Sequence, residues 1–485
     1  MKVLLISPNK SRPPVMPIGM RYIAEASIRA GHQVSCLDLC FEYLSVSREV
    51  IRRQIVEYNP DIIGLSLRNL DVEDSDKLAR YNYANYNLAT YNLANYSLAT
   101  YSNPESGSPS NLECFDQTFN ACRTYSNSLI VLGGPAFTLL PKQFLRRYHG
   151  ALGIVGPGES AFLNLLTALK DGRDIRSISG LVTSESSDED ISSISTDSLP
   201  SVPSTEETPL SDYLVRGGEY NIQSKRGCEF KCIHCSYPLI EGNSVRTHNP
   251  EEIGERIAQL TQKGVTQFRF VDSVFNNPVE HAIAVCNQIS RRVSSHIAFT
   301  VNCSPAQFTC ELAQALKAAG CSKVIFGTDT ASREMLRVMR KPFSKRQIEV
   351  VTSICKSLNL YFEHHMLLGA PGETLETAIE SLTFMDSLAC PVFIDLGIQI
   401  YDRAPIAKLL HSPSAANDQF VPPIFIEPTI SKELPELIVE FCATRNNMHS
   451  FIVRDYIPIQ AESNSDLGGH LSELPANQSG PLPAA

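Results

Sequence analysis

Apolar residues along this chain fall in short continuous runs separated by amphipathic stretches. The amino-terminal part holds VLLIS at 3–7, QVSCLDL at 33–39, DIIGLSL at 61–67, SLIVLGG at 128–134 and ALGIVG at 151–156. Runs of this length with little polar alternation fit strands of a parallel sheet covered on both faces. Between the first two, PIGMRYIAEASIRAG predicts a helix that starts at Pro17, closes at Gly31 and buries one face through Ile18, Tyr22 and Ala26. This is a βαβ unit, and residues 1–182 predict a doubly wound α/β domain. A second series follows: YNIQSKRG, QFRFVDS at 267–273, HIAFTVN at 296–302, KVIFGTD at 323–329, YFEHHMLLG at 361–369 and VFIDLGIQIY at 392–401. Each leads into a helical pattern, so residues 211–415 predict six β/α units in a parallel sheet or partial (β/α)6 barrel.

Four stretches break this rhythm. Residues 183–210, rich in Ser, Pro and acid with no basic residue, predict an interdomain linker. Residues 416–460 suggest a small helical extension, and 461–485 a disordered tail. Within 77–107, tyrosines recur at 81, 86, 91, 96 and 101, a period of five that suits neither helix nor strand. The simplest reading is a duplicated low-complexity insertion in a surface loop.

Composition narrows the classes. A chain of 485 residues with 43% hydrophobic residues can bury more than one core. The 42 basic and 52 acidic residues give a formal charge of −10 without a basic block, which argues against nucleic acid as the main partner. No run approaches the roughly 20 apolar residues of a membrane span. The start MKVLLISPNK is too short for a signal peptide, and most of the 14 cysteines are scattered singly, which suggests a reducing cytoplasm.

The exception is GCEFKCIHC at 227–235, a Cys-x3-Cys-x2-Cys run of Cys228, Cys232 and Cys235. A disulfide would strand the third thiol, and zinc lacks a well-placed fourth ligand, because His234 adjoins Cys235. Three thiolates suit a [4Fe–4S] cluster with one iron left open, and the run follows the first strand of the second series, where barrel active sites lie.

The triplet in this setting resembles the radical S-adenosylmethionine (SAM) superfamily, with His234 where an aromatic residue is usual. The resemblance implies a TIM-like partial barrel, a [4Fe–4S] cluster on the three cysteines, SAM bound through its amino and carboxylate groups to the open iron, and an electron donor such as flavodoxin or ferredoxin. It places Asp272 and Ser273 near the SAM amino group, Asn302 and Asp329 near its methionyl or ribose part, and Gly369 in MLLGAPGET against adenine. An ordinary strand-end turn at 272–273, and a helix cap at Asp329, are the local alternatives.

The first domain resembles the Rossmann-like cobalamin-binding module of a large branch of that superfamily. The likeness rests on Pro17 and Gly19, on GLSLRN with Ser66 and Asn69, on Gly133 and Gly134 in GGPAFT, and on Gly156 and Glu159 in GPGES. The Asp-x-His-x-x-Gly motif that supplies a lower histidine ligand to cobalt is absent from the sequence. FVDSVFNNP and PPIFIEP resemble the group of the branch that contains tryptophan 2-C-methyltransferase and lipid-biosynthesis members. The implied activity is C-methylation of an unactivated carbon in a small molecule, lipid or natural-product intermediate. Radical rearrangement or cyclisation is the alternative. A tRNA methylthiotransferase is a poorer match, since the amino-terminal cysteines have the wrong spacing and residues 411–485 are not basic.

Overall fold

In a computed structural model of the chain, the residues described are 1–9, 14–42, 44–68, 111–192, 199–203, 210–410, 420, 422–445 and 448–450. Asn69, the tyrosine repeat and the carboxyl-terminal tail lie outside them.

The first sheet is built from β1 (Lys2–Ser7), β2 (Gln33–Asp38), β3 (Ile62–Ser66), β4 (Leu129–Gly133), β5 (Leu152–Ile154) and β6 (Leu181–Val182), in the order β2-β1-β3-β4-β5-β6. All neighbours are parallel except β5 and β6. The apolar runs are explained by burial on both faces: Val3 and Leu5 join one cluster with Met20, Ile62 and Phe162, while Leu4 and Ile6 join another with Ile51, Ile63 and Phe115.

The second sheet contains β7 (Tyr220–Ile222), β10 (Gln267–Phe270), β11 (Ala298–Cys303), β12 (Cys321–Asp329), β13 (Phe362–Leu368) and β14 (Val392–Leu396), joined in sequence order by parallel pairing. The ribbon β8 (Lys225–Arg226) with β9 (Arg246–Thr247) stands at the end of β7, and β15 (Ile398–Gln399) pairs with β16 (Ile424–Phe425) beyond β14.

Four details depart from the sequence expectations. The carboxyl-terminal extension is not purely helical: after the helix Glu433–Ala443, β17 (Met448–Ser450) joins the edge of the barrel sheet in parallel with β14. The linker is not featureless, because Asp188–Ser192 is a helical turn whose Ile191 is buried and whose carbonyl accepts from Arg403 Nη1 at 2.9 Å. The last predicted strand is split at Gly397, where φ is +81°. The helix Ile18–Arg29 has the expected limits, but it buries Met20, Arg21, Tyr22, Ala24, Glu25 and Ser27 rather than a single stripe through 18, 22 and 26. It is covered twice, by its own sheet and by the second domain, where Arg21 donates to Tyr220 Oη at 2.6 Å.

The two sheets share a core. Phe115, Phe137 and Phe144 lie in one apolar cluster with Met335, Met339, Ile398, Ile406 and Phe420, so the barrel is seated directly on the first domain. Among the described residues no helix is long and apolar enough to cross a membrane.

Candidate active site

The cysteine run is a loop closed at its base by the β8–β9 ribbon. Gly227, just before the first cysteine, has φ +87°, and a Cβ there would lie 2.1 Å from the Ser244 carbonyl oxygen. Only glycine fits this crossing. The Glu241 carboxylate accepts from Gly227 N at 3.0 Å and from Gln223 Nε2 at 2.9 Å, and Cys228 N donates to the Gly242 carbonyl at 3.2 Å. Farther along, Ile233 is held through both backbone groups, donating to Met339 O and accepting from Ile406 N.

Cys228 is buried, Cys232 and Cys235 are half-buried, and all three are free thiols. Burial pushes each thiol up, Cys235 to about 12. Two ammonium groups oppose this: Lys225 acts on Cys228, and Lys341 acts on Cys232 and Cys235. Three thiols on one loop with nearby cations suit the chemistry of an iron–sulfur centre, whose iron strips the protons outright and whose thiolates need compensating charge, although among the described residues no group of side chains is gathered into a metal-ligand set.

His234 uses one ring nitrogen in this arrangement, its Nδ1 being buried without a hydrogen-bond partner among the described residues. Its Nε2 lies 3.2 Å from Asp329 Oδ2, which also accepts from Lys341 Nζ at 2.6 Å. Burial alone would raise the Asp329 carboxyl, but Lys341 and then His234 hold it well below the usual range. Asp329 therefore carries its charge at the carboxyl end of β12, beside the cysteines. It does not cap the following helix, whose N-cap is Ser332.

Asp272 lies behind the start of the cysteine loop. It is fully buried and accepts from Ser224 N at 2.7 Å, Ser224 Oγ at 2.5 Å and Lys225 N at 3.1 Å. Ser273 Oγ donates to the Gly227 carbonyl at 3.1 Å. Both residues brace the cluster loop from behind. Asn302 is half-buried on β11, with its carbonyl accepting from Phe275 N at 2.7 Å. Gly369, with φ +96°, opens a turn in which its own N–H and that of Ala370 donate to the buried Glu373. The turn is tied to the second quoted motif, for Glu427 of PPIFIEP accepts from Gly372 N at 2.7 Å.

On the first domain, the strand ends present Gly133, where an added Cβ would meet nothing within 4 Å, and Gly19 with the same freedom at the start of its helix. Pro17 is that helix's N-cap, and Ser66 is half-buried at the end of β3. Gly134 has the opposite constraint, with a Cβ falling 2.2 Å from the Leu67 carbonyl oxygen. Gly156 N donates to Thr138 Oγ1 at 3.0 Å. The Glu159 carboxylate pairs with Arg226 at 2.8 Å, with both side chains nearly buried. Arg226 also lies 4.5 Å from the Tyr22 ring centre, and Tyr22 Oη is 3.1 Å from His248 Nε2. Arg226, Lys225, Glu241 and Lys341 escaped the sequence reading. For the first two the available signal was basic residues abutting Gly227 and Cys228 in SKRGC; the others had none.

Residues 222–385 match the Radical SAM superfamily. That stretch is a radical SAM domain. The radical SAM domain brings with it a [4Fe–4S] cluster and SAM. Beyond the domain itself, the chain is 24% identical over 475 residues to tryptophan 2-C-methyltransferase of Streptomyces laurentii, covering 84% of this chain and 74% of that protein. It is 25% identical over 383 residues to an uncharacterized methyltransferase of Pyrococcus horikoshii, covering 77% and 73%. The radical SAM methyltransferase TsrM of Kitasatospora setae, solved with tryptophan and a SAM analogue, superposes with a TM-score of 0.74 at 20% identity over 91% of this chain and 88% of that one. A second TsrM structure holds cobalamin and a [4Fe–4S] cluster, at a TM-score of 0.71 and 22% identity over 89% and 83%. The radical SAM chain thus shares the two-domain fold.

Proposed function

We propose that this radical SAM protein is a cobalamin-dependent C-methyltransferase acting on a small molecule. The observation that carries the reading is the Arg226–Glu159 ion pair, which joins the residue two positions before Cys228 to the GPGES strand-end loop of the first domain. The cofactor edge of a doubly wound sheet lies at the carboxyl ends of its strands, and so does the active face of a barrel. The ion pair ties one to the other. The methyltransferase relatives and the TsrM fold support the same assignment.

When bound, the cluster supplies an electron to SAM and cobalamin supplies a methyl carrier. The chain's own residues provide the setting. Cys228, Cys232 and Cys235 would ligate iron, while Asn302, Asp329 and Gly369, at or just past the ends of their strands, would face SAM. Lys341 keeps Asp329 ionised and offsets thiolate charge. Gly19 and Gly133, whose Cβ positions are open, fit the approach of a flat macrocycle to the backbone. A flavodoxin- or ferredoxin-type donor would supply electrons.

Anaerobic reconstitution with iron, sulfide and cobalamin, followed by metal analysis, absorption spectroscopy and tracing of a 13C-methyl label from SAM, tests the proposal. Iron and sulfide retained without cobalamin would remove the methyltransferase reading.

A further inference from the structure

The stretch REMLRVMRKPFSKR at 333–346 carries six basic side chains against one acid, Glu334, in a chain whose formal charge is −10. Three of the six are paired: Lys341 with Asp329 at 2.6 Å, Lys345 with Glu380 at 2.9 Å and Arg346 with Glu349 at 2.8 Å. The other three, Arg333, Arg337 and Arg340, are exposed, and among the described residues none of their guanidinium groups has an ion pair or a hydrogen bond. They stand four and three residues apart along the helix Arg333–Val338 and its end, so they share one side. The opposite side is fixed in the protein, with Met335, Leu336, Val338 and Met339 buried.

The end of this helix is bonded to the cysteine loop. Met339 O accepts from Ile233 N at 3.3 Å, between Cys232 and Cys235, and Lys341, next to Arg340, is the cation that acts on both thiols. A helix with its side chains is about 10–12 Å across, so a body resting on Arg337 and Arg340 stands roughly one helix diameter from the loop. The exposed residues of the loop itself, Glu229 and Lys231, are of opposite sign and offset each other. An acidic protein approaching a chain of net negative charge is repelled except where unpaired cations gather, and the field of such a patch steers its approach. Arginine suits that contact, because its planar fork matches a carboxylate.

We infer that the side of the helix bearing Arg333, Arg337 and Arg340 is the docking surface for a small electron-donor protein with an acidic face around its cofactor. This deepens the proposed function and rests on it for the need of an electron. The donor gives up one electron and the cluster, once held by the cysteines, takes it up; no bond in this chain forms or breaks. Three unpaired arginines fix where the donor lands, and the bond from Ile233 to Met339 puts that place beside the loop that receives the electron.

The test uses the anaerobically reconstituted protein and two acidic probes, a flavodoxin and a [2Fe–2S] ferredoxin. Binding is read by titration calorimetry, and cluster reduction by electron paramagnetic resonance of samples frozen after mixing with the reduced probe. At least one probe should bind. Arg333→Gln, Arg337→Gln and Arg340→Gln combined should raise its Kd and slow its reduction of the cluster about tenfold at about 0.01 M salt, since exposed charge pairs contribute little singly and add when grouped. Lysine at the same three positions should retain most of both, and Arg173→Gln on the first domain should change neither. Dithionite, which needs no docking, should reduce the cluster equally in every variant. At about 1 M salt, where the Debye length is roughly 3 Å, the wild type and the glutamine variant should converge. Binding of neither probe, an unchanged Kd and rate in the glutamine variant, or a difference that survives high salt would overturn the inference. So would a uridine oligonucleotide that bound through the same arginines as tightly as either probe. Cobalamin content and methyl transfer enter none of these readings, so their loss strikes only the proposed function.

Discussion

Replacing Glu159 by Gln separates two accounts of the same residue. By resemblance, Glu159 belongs to the GPGES segment of the cobalamin-binding likeness; in the structure its carboxylate is 2.8 Å from Arg226, with side-chain exposures of 11% and 8%. Burial alone would weaken the Arg226 charge, but Glu159 beside it holds the guanidinium above its ordinary pKa. Breaking a buried pair from one side costs about 3–5 kcal/mol, because the remaining charge loses its partner without regaining water. Arg226 keeps a hydrogen bond to Gln223 at 2.8 Å and its place over Tyr22, so the lower end of that range applies. Glu159→Gln should therefore destabilise the protein by about 3 kcal/mol, read as a fall in the urea midpoint. A double-mutant cycle with Arg226→Met should return a coupling of about 2 kcal/mol, since in the double variant no buried charge is stranded. If Glu159→Gln left the midpoint unchanged and lost only cobalamin, the ion pair would not be the residue's role and the sequence reading would stand.

Other expectations are more direct. Alanine at Cys228, Cys232 or Cys235 should abolish cluster content and SAM cleavage. Alanine at the buried Cys286, Cys303 or Cys355 should leave iron and sulfide content at wild-type level, measured by metal analysis. Gly227→Ala places a methyl 2.1 Å from Ser244 O in a left-handed backbone and should lower cluster occupancy at least tenfold while the far-UV circular dichroism is retained. Lys341→Met removes the cation beside Cys232 and Cys235 and should make the cluster harder to reduce, seen as a more negative midpoint in an anaerobic titration. Burial in the Gly369 turn raises the Glu373 carboxyl from 4.5 to about 7, so the unfolded chain ionises first as pH rises. Its contribution is intact below pH 4.5 and is lost toward pH 7, by at most about 3 kcal/mol. Glu373→Gln should flatten stability over that interval, and an unchanged slope would refute the assignment.

Elements whose burial is set by their own sheet were legible in the sequence. The run VLLIS can only be a strand covered on both sides, and it is. The cysteine spacing carried its chemistry because three thiols within eight residues have few uses. What escaped was set by partners distant in sequence. Asp272 and Ser224 are 48 positions apart, and Glu159 and Arg226 are 67, so no local pattern distinguishes a carboxylate that braces a loop from one that binds a ligand. The short carboxyl-terminal strand was missed for a similar reason: three residues, MHS, carry no period of their own, and the edge of β14 makes them a strand.

The two histidines of YFEHHMLLG show how far one residue of register decides chemistry. His364 points outward and is fully buried, bridging Thr328 Oγ1 at 2.7 Å and Thr352 Oγ1 at 2.9 Å, and burial lowers its pKa to about 3. It is a neutral strut between strand and helix. His365 points inward beside Gly327, in contact with a carboxylate and partly open. The sequence presents the pair as equals. A strand has a period of two, so adjacent residues face opposite sides, and only the covering of one side by helices gives the pair its two roles. His364→Phe should therefore lower stability, because it leaves two buried threonine hydroxyls without this partner. His365→Phe should cost less, because that side chain is 36% exposed. A stability loss confined to the His365 variant would mean that the faces have been assigned the wrong way round.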